Sequence, residues 1–558
     1  MPPHAPHSTH GPQVGIVVIG YDDAAHVTTA VRSALAQGPV VREVVAVDDC
    51  STDGSAELLA RLAATEPRLK VVRRRVNSGG CGSPRNTGLD RVTSPYVMFL
   101  DSDDVLPPGA VDALLAAATG ADAEVAGGLC VRRELPGRRG LPGGRELPGR
   151  RDVPWQAPLY AAHAVFERPA QRPRLVHDTL CVNKLYRTDF LREHGIRFPE
   201  GRFLYEDFVF TARVLAAGPR LALIPDRVYV WHVRRAADRL SISLDRAGIT
   251  NWQARTQASR LAYDILLGAG QKELAREARA KFLDHDLRVY ARELGLHDTP
   301  YQRAWWAHTR AYLAEYDASD WAHNPAAPGR LIGRVVLASP EPRDLPRLRD
   351  LASRPARLLP PYTHTPDGIP VWSAALPEVQ LEPLLTRPVR LLPLAVDAEL
   401  RPRARTALLR LRLHELYGRV AQAGPEALEV EWRCRETGRA TVPRTTAALT
   451  PSADGGVWSA ETTVDWAAFG SPGGRGAGTW DMRLRVCFRG GAYREVTAHA
   501  LTGAGPLRRR AVVGAGHAVV LVQPYATHSG ALALRMAGGL RGVMSVIGGR
   551  LRRLLHCH

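Results

Sequence analysis

From Gln13 to about Val131, short apolar runs alternate with segments of helical period. Val14 to Ile19 is β-branched throughout except at Gly15, the pattern of a strand buried on both faces. A helix is predicted from Ala24 to Gln37, a second strand from Val44 to Val47, and a second helix opening at Asp53. Leu69 to Val76 and Tyr96 to Leu100 read as further strands. Strand and helix in alternation imply parallel pairing through crossovers, so this region is α/β.

Residues 132–152 break that rhythm. Glu134-Leu135-Pro136-Gly137-Arg138-Arg139 returns as the six residues from Glu146 to Arg151, and Pro-Gly repeats form no regular element. They mark a basic insertion. Beyond Thr250 the period is helical, with Ala280, Leu283, Leu287 and Tyr290 in phase and no Pro from 250 to 299. Pro then recurs from Pro325 to Pro393, predicting an irregular connection.

Strict alternation follows. Leu428, Val430, Trp432 and Cys434 interleave with Glu429, Glu431, Arg433 and Arg435; Trp480, Met482, Leu484, Val486 and Phe488 interleave with Asp481, Arg483, Arg485 and Cys487. One buried face and one wet face predict an antiparallel β-sandwich. The expected organisation is a leader at 1–12, the α/β domain at 13–245, helices and a Pro-rich connection at 246–394, the sandwich at 395–538 and a basic amphipathic tail at 539–558. In that tail Leu540, Val543, Met544, Ile547, Leu551, Leu554 and Leu555 share a helix face. Two readings stand: peripheral contact with the inner membrane face, or docking on its own domain. Gly542, Gly548 and Gly549 weaken the helix at about 1 kcal/mol each.

The net charge of +18 rests on 70 Arg and 4 Lys against 56 acidic residues. Such a surplus fits a GC-rich genome, or a surface that concentrates a polyanion. No zinc-finger spacing, RNP-like motif or basic–aromatic stripe is present, so nucleic acid is not the expected partner. Seven scattered Cys without a C-x-x-C pair point to a reducing compartment. The leader has no apolar core and no run approaches the roughly 20 residues of a membrane span, so a cytoplasmic protein is expected.

In an open parallel sheet, ligands bind outside the carboxyl ends of the strands. Four polar clusters fall there: Gly20-Tyr21-Asp22, Asp48-Asp49, Asn77, and Asp101-Ser102-Asp103-Asp104. Three carboxylates within four residues repel one another unless a cation sits among them. Mg²⁺ or Mn²⁺ suits such oxygen ligands, bound through one or two carboxylates plus substrate phosphates. An Asx-turn ahead of a helix after Pro107 is the plainer alternative.

Together with Asp48-Asp49-Cys50-Ser51-Thr52-Asp53-Gly54-Ser55, the run Asn77…Arg85-Asn86-x-Gly88 and Asp101-x-Asp103, these clusters resemble in order the motifs of family 2 glycosyltransferases with the GT-A fold. Lys184-Leu185-Tyr186-Arg187, Arg197-Phe198-Pro199, Tyr205-Glu206-Asp207-x-x-Phe210 and Arg239-Leu240-Ser241-Ile242-Ser243 are similar to later motifs of that family. The resemblance covers about residues 13–245. It implies inverting transfer from a UDP-sugar donor. By resemblance Tyr21, Asp22, Asp49, Asn77, Arg85 and Asp101 bind the nucleotide, and Arg235 and Ser241 the diphosphate. Asp103 binds the metal, with Asp104 as the alternative ligand, and Asp207 is the general base.

Cys50 departs from the family by standing where Gly is commonest, and Asp22 where Asn is frequent. The processive synthases' Gln-x-x-Arg-Trp motif is absent, which fits a single-addition enzyme. The whole layout is similar to the poly(ribitol-phosphate) N-acetylglucosaminyltransferases of wall teichoic acid decoration. That implies N-acetylglucosamine as the sugar, an anionic cell-envelope polymer as acceptor, and a homotrimer assembled through the C-terminal region. The alternative is a non-catalytic wall-polymer or carbohydrate binding protein on the same fold. A nucleotidyltransferase would need a Gly-rich loop directly after the first strand, which Gly20-Tyr21-Asp22-Asp23 is not.

Overall fold

The computed structural model describes residues 13–134, 152–233, 246–435, 444–469, 478–501, 510–513, 519–527 and 529–538. The leader, most of the 132–152 insertion and the 539–558 tail lie outside them. The chain forms two compact units that divide after Phe282.

The first unit is built on strands β1 (Val14–Gly20), β2 (Val41–Asp48), β3 (Leu69–Arg73), β4 (Tyr96–Asp101), β5 (Val125–Glu134), β6 (Val153–Pro154), β7 (Ala164–Phe166), β8 (Lys184–Arg187) and β9 (Leu221–Val233). They form one mixed sheet in the order β3-β2-β1-β4-β8-β5-β9-β7, with β6 on β5. The strands β3, β2, β1 and β4 are parallel, as alternation with helices predicts. Beyond them β8 runs antiparallel to both β4 and β5, so the sheet is not parallel throughout. Only four residues long, β8 carries no crossover signal; its direction is set by its neighbours.

The helices are α1 (Val27–Leu35), α2 (Ser55–Ala63), α3 (Gly82–Leu89), α4 (Ala110–Gly120), α5 (Thr188–Glu193), α6 (Glu206–Ala216), α7 (Ile249–Gly268) and α8 (Lys272–Lys281). The third strand stops at Arg73, short of Val76, and α1 starts three residues after Ala24 because Asp23 to His26 forms a turn. Since α7 packs against α6 and α8, this unit extends past residue 245, where sequence alone placed a boundary. The strands β1, β2 and β4 are almost wholly buried, which explains their continuous apolar runs.

One buried acid ties the parallel strands together. Glu43 of β2 accepts hydrogen bonds from Thr93 N (2.7 Å), Thr93 Oγ1 (2.9 Å), Ser94 N (2.9 Å) and Ser94 Oγ (2.8 Å), just before β4. It also meets Lys70 Nζ of β3 at 2.6 Å. Burial pushes the carboxyl up, but Lys70, Thr93 and Ser94 outweigh it and hold the pKa at about 2.

The second unit begins with helices, among them Thr299–Leu313, Pro328–Ala338 and Leu345–Ala352, and a three-stranded sheet of Thr363–His364, Pro370–Ser373 and Leu376–Gln380. The segment expected to be irregular therefore has regular structure and a core, with Trp372 fully buried. Proline misled here because Pro328 and Pro346 sit in the first turns of helices, where no N–H is needed. The β-sandwich follows, its described residues forming one sheet of five strands and one of seven. Across its core Phe469 meets Trp432 (5.7 Å) and Trp480 (5.1 Å) nearly edge-on.

A carboxyl whose folded pKa lies below its unfolded value near 4.3 stabilises fully above that value, and the gain is lost as pH falls toward 2. Glu43→Gln should lower the unfolding free energy at pH 7 by about 2 kcal/mol, with the difference shrinking toward pH 2. Urea unfolding at several pH values measures this, and a variant as stable as wild type at pH 7 would remove Glu43 from the role.

Candidate active site

Because β3, β2, β1 and β4 run parallel, their carboxyl ends share one edge. There Gly20 is in register with Asp48, and Ile19 with Asp101. After β1 the chain turns at Asp22, in the left-handed region at φ 48°. Asp22 Oδ1 accepts from Thr52 N (2.7 Å), and Asp22 N donates to Ser51 Oγ (3.0 Å). Tyr21 is exposed beside it. Cys50 has φ 65°, which gives the physical reason why Gly is favoured at that position.

Asp49 and Asn77 meet, but mainly through each other. Asp49 is buried, and its Oδ2 accepts from Ser78 N (3.0 Å), Ser78 Oγ (2.7 Å) and Asn77 Nδ2 (3.2 Å). Arg74 Nε lies 3.3 Å from Oδ1. Asn77 Oδ1 accepts from Gly79 N at 2.9 Å. These two side chains build the loop that carries Ser78 to Gly80.

That loop leads into α3, which is wedged between β1 and the Phe198–Pro199 turn. A Cβ on Gly82 would lie 2.0 Å from the Pro199 carbonyl oxygen, and one on Gly88 2.2 Å from Val17 Cγ1. Asn86 pairs twice with Phe198, donating to its O and accepting from its N, both at 2.9 Å. The effect is to bury Arg85, 2% exposed, with its guanidinium 5.3 Å from the Phe198 ring centre.

Arg85 is where the sequence motifs converge. Nη2 donates to Asp101 Oδ1 (2.7 Å), and Nη1 to Glu206 Oε1 (2.5 Å) and Asp207 Oδ1 (3.1 Å). Burial raises the Glu206 carboxyl to about 7 against the pull of Arg85, with Asp207 pushing the same way. Asp207 is raised for the same first reason, and Asp101 adds to it, while Arg85 and Cys181 oppose the rise. Cys181 Sγ donates to Asp207 Oδ1 at 3.2 Å.

The Asp101–Asp104 cluster divides its labour. Asp104 is buried; its oxygens accept from Tyr229 Oη (2.7 Å) and His232 N (2.7 Å). Burial, with Asp103 and Asp101 beside it, holds its carboxyl well above the usual range. Asp103 is half-buried and its carbonyl accepts from His232 Nδ1 (2.6 Å). Among the described residues no group of three or more His, Cys, Asp or Glu side chains is arranged to hold a metal by itself. Arg235 and Ser241 lie outside the described residues.

Sequence reasoning missed two features. Asp23 accepts from Ser102 Oγ (2.8 Å) and so locks the β1 and β4 loops together, which its place as the second acid after β1 hinted at. Cys181 carried no sequence signal.

Residues 15–195 match the model of the family described as "Glycosyl transferase family 2". The succinoglycan biosynthesis protein ExoO of Rhizobium meliloti (strain 1021) is 31% identical over 234 residues, 42% of this chain and 64% of that protein. The poly(ribitol-phosphate) beta-N-acetylglucosaminyltransferase TarS of Staphylococcus aureus (strain MW2) is 28% identical over 233 residues, 40% of this chain and 36% of that protein. The matches thus span less than two thirds of either relative. The crystal structure of S. aureus TarS matches in fold with a TM-score of 0.50 at 17% identity, covering 94% of this chain and 85% of that one. The mixed sheet of the first unit, with its acids at one strand edge, is therefore a GT-A-like fold, and the chain carries a glycosyl transferase family 2 domain.

Proposed function

We propose that the protein transfers a sugar, N-acetylglucosamine as the first candidate, from a UDP-sugar to a hydroxyl of an anionic cell-envelope polymer of the polyol-phosphate class, with inversion. The observation that carries this reading is Asp207, a partly exposed carboxylate held 3.1 Å from the same guanidinium that binds Asp101. A donor seated on the strand edge against Tyr21, Asp22 and Asp101 would bring its anomeric carbon toward Asp207. The acceptor hydroxyl then loses its proton to Asp207 as its oxygen bonds to that carbon. The bond from the carbon to the diphosphate oxygen breaks, and UDP leaves with the electron pair. The polymer class rests on the activity that names the TarS relative and on the net charge of +18.

A divalent cation, Mn²⁺ or Mg²⁺, fits this edge through one carboxylate plus the donor's phosphates. Asp103 would hold it in preference to Asp104, because Tyr229 and His232 already engage both Asp104 oxygens. When bound, the ion offsets the charge that develops on the leaving diphosphate. Assembly through the C-terminal region belongs to the same reading. The described residues contain no helix long and apolar enough to cross a membrane.

Calorimetric titration with UDP should show binding that strengthens at least tenfold with Mn²⁺ and loses that dependence in Asp103→Ala; metal-independent binding would move the ion elsewhere. Asp207→Asn should keep UDP binding and lower transfer from UDP-N-acetylglucosamine by at least 10²-fold, whereas near-wild-type turnover would remove Asp207 as base. Asp207 works only when ionised, and its carboxyl is raised by burial. The acid limb of kcat/KM should therefore lie above the usual carboxylate value near 4, with activity falling as pH drops through it.

A further inference from the structure

A dense polar network lies behind the site without touching the strand edge. Asp178, 1% exposed, accepts from Trp155 Nε1 (2.9 Å), Asn183 Nδ2 (3.0 Å), Lys184 Nζ (2.8 Å) and the Tyr160 hydroxyl. Lys184 Nζ donates onward to the Leu180 carbonyl at 2.5 Å. Thr211 of α6 holds the Thr179 carbonyl (3.1 Å), and Tyr186 the Cys181 carbonyl (3.0 Å).

Four consecutive residues, Asp178 to Cys181, are thus fixed through their carbonyls or side chain by buried donors. A buried ion pair of this kind is a poor source of net stability, since desolvation offsets most of its attraction. What a fully satisfied network gives is a single geometry.

The residue it presents to the site is Cys181, fully buried, with Sγ 3.2 Å from Asp207 Oδ1 and its N 3.5 Å from Oδ2. Oδ1 thereby takes two donors, the thiol and Arg85 Nη1 at 3.1 Å, while among the described residues Oδ2 has only the long backbone contact. We infer that Cys181 is a positioning residue for Asp207: clamped by the Asp178–Lys184 network, its thiol fixes Oδ1 inward and leaves Oδ2 to receive the acceptor proton. Burial keeps the thiol protonated, as a donor must be.

The role in proton transfer rests on Asp207 being the base; the thiol's hold on the carboxylate does not. The groups that face Asp207 are Arg85 on α3, Cys81 just before it, Asp101 at the end of β4, Glu206 on α6, Cys181, and Tyr186 on β8. Among these Arg85 and the thiol favour the ionised form, so losing the thiol must raise the pKa.

Infrared difference titration, each protein minus its Asp207→Asn counterpart, reads the Asp207 carboxylate without turnover. Cys181→Ala should raise its midpoint by about one pH unit, and Cys181→Ser, whose hydroxyl also donates, should return it most of the way. In turnover with UDP-N-acetylglucosamine, Cys181→Ala should lower kcat about tenfold with donor KM unchanged and move the acid limb by the same amount. An unmoved midpoint in Cys181→Ala, or a serine variant equal to the alanine one, overturns the positioning role. If Asp207→Asn stays active while the midpoint still moves, the thiol contact stands and the base assignment fails.

Discussion

A single buried guanidinium organises this site. Arg85 reaches Asp101 with one nitrogen and Glu206 and Asp207 with the other, so one positive charge faces three carboxylates in a water-poor setting. Burial raises the carboxyls of Glu206 and Asp207, and the neighbouring carboxylates add to the rise while Arg85 opposes it. Removing the cation would leave these acids in mutual repulsion with nothing to offset their burial. The same contacts fix the distance between the strand that ends at Asp101 and the helix that begins at Glu206. The strand edge and the start of that helix are thereby held in one frame.

Everything near Arg85 serves to keep it in place. Gly82 and Gly88 let α3 approach the Pro199 carbonyl and Val17 more closely than any side chain would permit. Asn86 fastens the Phe198 backbone, and Phe198 lies stacked at 3.9 Å on Phe210 of the helix that carries Asp207. On the other side, Tyr229 and His232 restrain Asp104 so that the loop after β4 turns at a fixed point. The motif residues divide accordingly into those that hold the frame and those the frame delivers to the edge. Asn77, Arg85 and Asn86 belong mainly to the first group, and Asp22, Asp103 and Asp207 to the second.

Much of this was legible in the chain. The continuous apolar runs at Val14 and Tyr96 could only be strands covered on both faces, and acids directly after such strands must lie at one edge once the strands are parallel. Cys50 was visible as a departure at a position where Gly is commonest, and its φ of 65° supplies the physical reason for that preference. Alternation over Leu428–Cys434 and Trp480–Phe488 determined which faces of the sandwich are buried, because a period of two leaves no other choice.

Tertiary structure alone decided the rest. Arg85 and Asp207 are 122 residues apart, and no local pattern says that one guanidinium will serve Asp101, Glu206 and Asp207 at once. The reversed direction of β8 follows from pairing with β4 and β5, and the packing of α7 on α6 from an apolar face that needed covering. Pro328 and Pro346 read as breakers because sequence shows the missing N–H but not its position in a first helical turn. Cys181 is the clearest case: a lone thiol gains a role only when a buried ion pair far from the edge aims it at a carboxylate. Periodicity and strand-end position are properties of neighbours in sequence, whereas the charge balance of a buried site depends on which distant groups share it.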